Sequence, residues 1–143
     1  MTNFPSLEQY LETVQQSPKS IFIDNDLQNS FIEKNVLNIP RVRSGNFAVI
    51  FKYTNQNKNF AVRCFLNKLF DLESRYSEIS KVIKKIPSIF TDFEFQKVGI
   101  LVEKKWCPIL KMSWISGPTL GEFINAEHDN PIKLLNLRKS LQE

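Results

Sequence analysis

The stretch Ser44-Gly45-Asn46-Phe47-Ala48-Val49-Ile50-Phe51, SGNFAVIF, decides how the chain is read. Ser44-Gly45-Asn46 stands between two runs of β-like composition, Arg41-Val42-Arg43 before it and residues 47–53 after it. Small and polar residues between two such runs predict two strands joined by a turn.

Working outward, the polar segment Thr54-Asn55-Gln56-Asn57-Lys58-Asn59 predicts a hairpin turn, and residues 60–66 a third strand apolar enough to lie centrally. Residues 71–86 carry Leu72, Tyr76, Ile79, Ile83 and Ile86 at helical spacing, and Pro87 stops that helix. Two more strands follow, 93–102 with a bend at Gly99 and 106–114, joined at Glu103-Lys104-Lys105. Ser116-Gly117-Pro118 interrupts the pattern before two helices, 119–126 and 131–143, the second capped by Asn130 with Pro131 in its first position. Upstream, Ser6-Leu7-Glu8-Gln9 is a capping-box pattern opening a helix that runs to about Gln16 and ends at Pro18. Residues 21–38 show no clean period and read mostly as loop, with a helical turn near 27–32. The fold class expected is α+β: a five-stranded antiparallel sheet with one packed helix, an N-terminal helix and two C-terminal helices. Three stretches follow from this order, an extension over 1–38, the sheet over 39–115, and a closing segment over 116–143.

The 143 residues suit one domain with a proper core, and the 42% hydrophobic content excludes a disordered chain. Twelve Phe against two Met predict bulky aromatic packing. The net charge of +4 is carried by no dense block, since Lys84-Lys85 and Lys104-Lys105 are short and far apart. Solvated surface lysines are therefore expected, and nucleic acid is not an expected partner. A nucleic-acid surface would need Phe and Lys interleaved on one exposed face, whereas the strand pattern turns most Phe inward. Cys64 and Cys107 lie in apolar runs without metal-ligand spacing, and His128 is the single histidine. Buried free thiols in a reducing compartment are expected, with no metal site. With no signal-peptide pattern at Met1-Thr2-Asn3-Phe4-Pro5 and no apolar run of membrane-spanning length, a cytoplasmic protein without membrane contact is expected.

The order of elements, with the motifs they carry, resembles the N-terminal lobe of the protein kinase fold, over about residues 39–126. That lobe has a five-stranded antiparallel sheet with one helix between its third and fourth strands. It carries a G-x-G-x-x-G-x-V loop between the first two strands and a V-A-I-K lysine on the third. Gly45-Asn46-Phe47-Ala48-Val49-Ile50-Phe51-Lys52 matches the end of the loop, with Phe47 at its tip, and Ala61-Val62-Arg63 falls where A-I-K stands. Met112-Ser113-Trp114-Ile115-Ser116-Gly117-Pro118-Thr119-Leu120 is similar to a hinge of the form M-E-Y-V-x-G-x-x-L. The wording is closest to a divergent bacterial group of kinase-like proteins.

The resemblance implies a half-site for ATP, with Mg²⁺ in a complete parent protein. Gly45, Asn46, Phe47 and Ala48 would cover phosphates, and Arg63 would meet them. Ile50, Ala61 and Met112, with Val42, would form the adenine wall, and the backbone of Ser113 and Ile115 would bind the base. Arg63 is not a conservative stand-in for lysine, because its planar fork differs from a point charge. Arg43 replaces the first loop glycine and Ala48 the third, which weakens the loop without disqualifying it. Glu78 on the 71–86 helix is a partner for Arg63 and Glu73 its competitor; such an ion pair would serve equally well without nucleotide. Catalytic residues are not expected in this chain: Asp92-Phe93-Glu94 precedes the hinge, and His128-Asp129-Asn130 reads as a helix-capping loop. Two functions follow, the incomplete N-lobe of a serine/threonine kinase-like phosphotransferase or pseudokinase, and a nucleotide-independent protein-interaction module. The last helix carries Ile132, Leu134, Leu135, Leu137 and Leu141, so either a missing C-lobe or a protein partner is expected to cover it.

Overall fold

The structure is a computed structural model that describes residues 4–66, 72–85, 93–116, 124–125 and 130–142. Within them five helices and six strands alternate: α1 (Leu7–Thr13), α2 (Pro18–Ile21), α3 (Asn25–Gln28), β1 (Phe31–Ile32), β2 (Val42–Ser44), β3 (Ala48–Asn55), β4 (Lys58–Phe65), α4 (Leu72–Lys85), β5 (Phe93–Val102), β6 (Lys105–Ser113) and α5 (Pro131–Gln142). The expected 119–126 helix and the His128-Asp129 pair lie almost wholly outside the described residues.

The strands form one antiparallel sheet in the order β1-β3-β4-β6-β5, with β2 also paired to β3. Five strands were expected and six are present. The extra one, β1, sets only Phe31 and Ile32 against Thr54 and Tyr53, too short a ladder to leave a period in the sequence. Pro18 likewise does more than end a helix: its fixed φ suits the first turn of α2, which it opens. The capping box at α1 is complete, with the Ser6 hydroxyl accepting from Gln9 N–H and the Gln9 side chain accepting from Ser6 N–H. At α5, Asn130 Oδ1 accepts from Lys133 N–H at 3.2 Å, as the sequence predicts.

Strand alternation gives the sheet two unlike faces. On one, Val49, Phe51, Tyr53, Val62, Cys64, Cys107 and Ile109 pack beneath Tyr10, Val14, Ile21, Phe22 and Leu27 from α1–α3. Burying side chains of this size is worth about 1.5–3 kcal/mol apiece, so the helices α1–α3 are held to the sheet as part of the core. Tyr10 Oη donates to the Phe65 carbonyl at 2.8 Å, and burial pushes its phenol well above the ordinary range.

A buried polar cluster fastens the same segment. Lys111 Nζ lies 3.0 Å from Asp24 Oδ2 and 2.9 Å from Asp26 Oδ2, and Gln96 Nε2 donates to Asp24 at 2.7 Å. Burial alone would raise the Asp24 carboxyl. Hydrogen bonds from Lys111, Leu27 N–H and Gln96, with the charge of Lys111, outweigh it and hold Asp24 below its ordinary value. Burial opposes the Lys111 charge too, and the two aspartates more than offset it, so its ammonium titrates above the usual range.

On the second face, Phe65 and Leu110 meet Phe93, Phe95 and Met112, with Tyr76 of α4 laid across them. Tyr76 stacks on Phe95 at 5.5 Å and meets Phe93 edge-on at 5.6 Å, the aromatic packing that the Phe content predicts. Ile79, expected on the buried face of this helix, is half-exposed instead, because Tyr76 alone of the described α4 side chains joins this cluster.

Candidate functional site

Part of the set singled out in the sequence shares the second face: Ile50, Ala61, Arg63 and Met112 lie there, while Val42 and Ser113 pair with Phe51 and Phe60 of the closed face. Register sets Arg43 opposite Ile50, Ile50 opposite Arg63, Arg63 opposite Leu110, and Leu110 opposite Phe95. A parallel row runs through Lys52, Ala61, Met112 and Phe93. Directly opposed residues share a face, so Ile50, Ala61, Arg63 and Met112 lie together. Val42, expected in the same wall, pairs with Phe51 instead, and Arg43 is the β2 residue that opposes Ile50.

The SGNF turn closes over one end of these rows. Gly45 N–H donates to the Ala48 carbonyl at 2.9 Å, and Leu66 N–H donates to the Phe47 carbonyl at 2.8 Å. These bonds fix the turn against the end of β4 and leave the Phe47 ring exposed at its tip. Gly45 spends its own N–H inside the turn, which removes it as a phosphate donor. The side chains must supply most of the positive charge.

Ser44, Gly45, Asn46, Phe47, Ala48 and Arg63 line a cavity of about 310 Å³, with Arg43 and Ile50 at its border. Arg63 is half-buried, and its guanidinium lies 6.0 Å from the Phe65 ring. Its Nε is buried and meets no hydrogen-bond partner among the described residues. Glu78 is exposed on α4, and no ion pair joins it to Arg63 among the described residues. The Glu73 side chain lies outside the described residues.

At the other end, β6 delivers the hinge-like segment. Met112 borders a cavity of about 180 Å³ with Phe60, Phe93, Glu94 and Lys111. Ser113 ends the strand opposite Phe60, and Trp114 N–H donates to the Asn59 carbonyl at 2.9 Å. Ile115 is 72% exposed, and its backbone makes no hydrogen bond among the described residues.

Lys52 and Trp114 have no role in the sequence reading, whereas Arg43 already reads there as a charge able to meet phosphate. The Arg43 guanidinium and the Lys52 ammonium each lie 5.0 Å from the Trp114 ring centre. The signal for Lys52 and Trp114 was available in the period of two: Ile50 to Lys52 and Met112 to Trp114 continue the same rows. No cluster of His, Cys, Asp or Glu able to hold a metal occurs among the described residues. Nor is any described helix long and apolar enough to cross a membrane.

No family model matches this sequence, and neither a curated protein nor a solved structure matches it.

Proposed function

We propose that this chain is the N-terminal lobe of a kinase-like fold and forms half of an ATP site, with the rest of the parent a divergent serine/threonine kinase-like phosphotransferase or a pseudokinase. One observation carries the reading: the SGNFA turn and Arg63 line a single cavity, where the Arg63 Nε is buried and meets no partner among the described residues. An unpartnered buried donor costs about 1–3 kcal/mol, more on a charged group, and a phosphate oxygen would remove that cost once Arg63 turns its Nε into the cavity.

In this reading Arg63 and Arg43 meet the phosphates, and Ile50, Ala61 and Met112 receive the adenine. Ile115 offers free backbone groups to the base. The residues present fit a nucleotide through this donor set. Bound Mg²⁺ would shield phosphate charge, but its ligands and the catalytic base belong to segments that follow the hinge in kinases. The chain alone is therefore expected to bind and not to transfer.

Calorimetric titration with ATP and ADP, with and without Mg²⁺, tests the reading. The unaltered chain should bind both nucleotides, and Arg63→Ala should weaken binding at least about tenfold, the loss of one charge-assisted contact. Thermal melts of the variant should match those of the parent. A wild-type chain that releases no heat with either nucleotide would sink the proposal. The alternative, a protein-interaction module, draws on Val36 at 98% exposure, Leu37 at 73% and Ile115 at 72%. It would gain from that silent titration.

A further inference from the structure

A second cleft, of about 620 Å³, runs beside the loop cavity beneath the other end of β2, lined by Glu33, Arg41, Arg43, Lys52, Trp114 and Ser116 among others. Backbone hydrogen bonds assemble it. Glu33 N–H donates to the Lys52 carbonyl at 2.8 Å, and Arg41 N–H donates to the Glu33 carbonyl at 2.9 Å. The segment between Glu33 and Arg41 is thereby folded back on itself along the edge of β3.

The charges in this cleft do not balance. Arg41, Arg43 and Lys52 face one carboxylate, Glu33, so the lining carries two net positive charges. Glu33 stands 3.8 Å from Arg41 and 4.0 Å from Lys52. Both separations exceed the roughly 2.7–2.9 Å of a charge-assisted hydrogen bond, so neither cation has its donors satisfied there. Trp114 then draws Arg43 and Lys52 to one ring, each at 5.0 Å. Each attraction is worth about 0.5–1 kcal/mol at an exposed site, while the two like charges it gathers repel each other.

We infer that this cleft binds a linear polyphosphate, an anion with two or more linked phosphate groups. Phosphate fits the donors, since arginine forks onto it bidentately and lysine meets it as a point charge. More than one group matches the lining best, because Arg41, Arg43 and Lys52 share the cleft against one carboxylate and the two arginines alternate along the chain, about 7 Å apart where it is extended. Linked phosphates offer each cation an oxygen of its own. With its ring taken up by the two cations, Trp114 shapes the site for charge rather than for a stacked base. The inference is independent of the nucleotide reading: Gly45 and Arg63 line the neighbouring cavity and not this one, and only Arg43 and Ile50 border both.

The test is calorimetric titration of the whole chain with sodium tripolyphosphate at fixed ionic strength. The comparison set is the wild type, Arg41→Gln/Lys52→Gln and Arg63→Ala, each checked by thermal melting. Tripolyphosphate should bind the wild type, and the double variant should lose about tenfold or more of that affinity, a larger loss than in Arg63→Ala, which removes a cation of the neighbouring cavity only. No binding to the wild type would overturn the inference. So would a loss confined to Arg63→Ala, which would put the anion in the loop cavity. Equal competition by sulfate at matched charge would overturn it too, because the cleft would then be a plain cationic surface.

Discussion

A methyl group added at Gly45 would meet nothing within 4 Å, whereas one added at Gly99 would run into Ile109, whose side chain is wholly buried. The sequence presents both glycines as interruptions of β-like runs, and only their surroundings separate them. Gly99 sits where the β5–β6 register shifts, between Gln96 and Ile100, so the missing side chain admits Ile109 at a bulge. Gly99→Ala should lower stability by about 1–3 kcal/mol, the usual cost of overpacking a full core. A shift of the urea midpoint measures it, and an unmoved midpoint would mean that Ile109 can turn away. At Gly45 the polypeptide itself requires no glycine. The space there is useful only to something that approaches from outside the chain, as the phosphates of the proposed nucleotide would.

Elements with a strong period were legible, and those held by a few long-range bonds were not. The strand at 93–102 matches its expected bounds, and the described residues 72–85 of the expected 71–86 helix are helical, both with a sequence period strong enough to mark the element. The 21–38 region read mostly as loop with a helical turn near 27–32; it contains α3, which begins two residues earlier, and the unforeseen β1, their backbone fixed by Asp24 capping Leu27 N–H and by Glu33 reaching Lys52. Short elements like these depend on partners far away in the sequence. The candidate site was half legible for a related reason. Ile50, Ala61, Arg63 and Met112 fall on one face, as the resemblance implied, but Arg43 and not Val42 opposes Ile50, because the register of an edge strand has no sequence signal of its own. The β5–β6 hairpin offers a test at this scale. Its turn residues Glu103 and Lys104 both take positive φ, 48° and 68°, which the two-residue turn demands and non-glycine residues resist. Lys104→Gly should raise stability by about 0.5 kcal/mol, relief of left-handed strain less the added entropy of the unfolded chain. Chemical denaturation checks it. Glu103 is best left in place, since its carboxylate accepts from Gln9 Nε2 at 2.7 Å.

Across the molecule, one face of the sheet is closed by its own N-terminal helices and the other bears the basic clefts. The closed side contains the Lys111–Asp24–Asp26 cluster, and pH acts through it in two limbs. Asp24 titrates below its ordinary 3.8 when folded, so its contribution is complete above that value and disappears as pH falls through the folded one. Lys111 titrates above its ordinary 10.5, so its contribution is complete below that value and disappears as pH rises through the folded one. Between these limits the cluster makes stability flat. Lys111→Met leaves the part-buried Asp24 without its cation and should cost about 1–3 kcal/mol at neutral pH. The gap from wild type should narrow as acid neutralises Asp24; urea midpoints across pH would show it, and a constant gap would mean that the pair contributes nothing. The same closed side also holds Cys64 and Cys107, fully buried beneath the N-terminal helices, with their thiols pushed upward in pKa by that burial. Neither sulfur can be alkylated while the lid is down. Their labelling rate is thus an intrinsic stopwatch, timing how often the first helices lift from the sheet without any probe having to be installed.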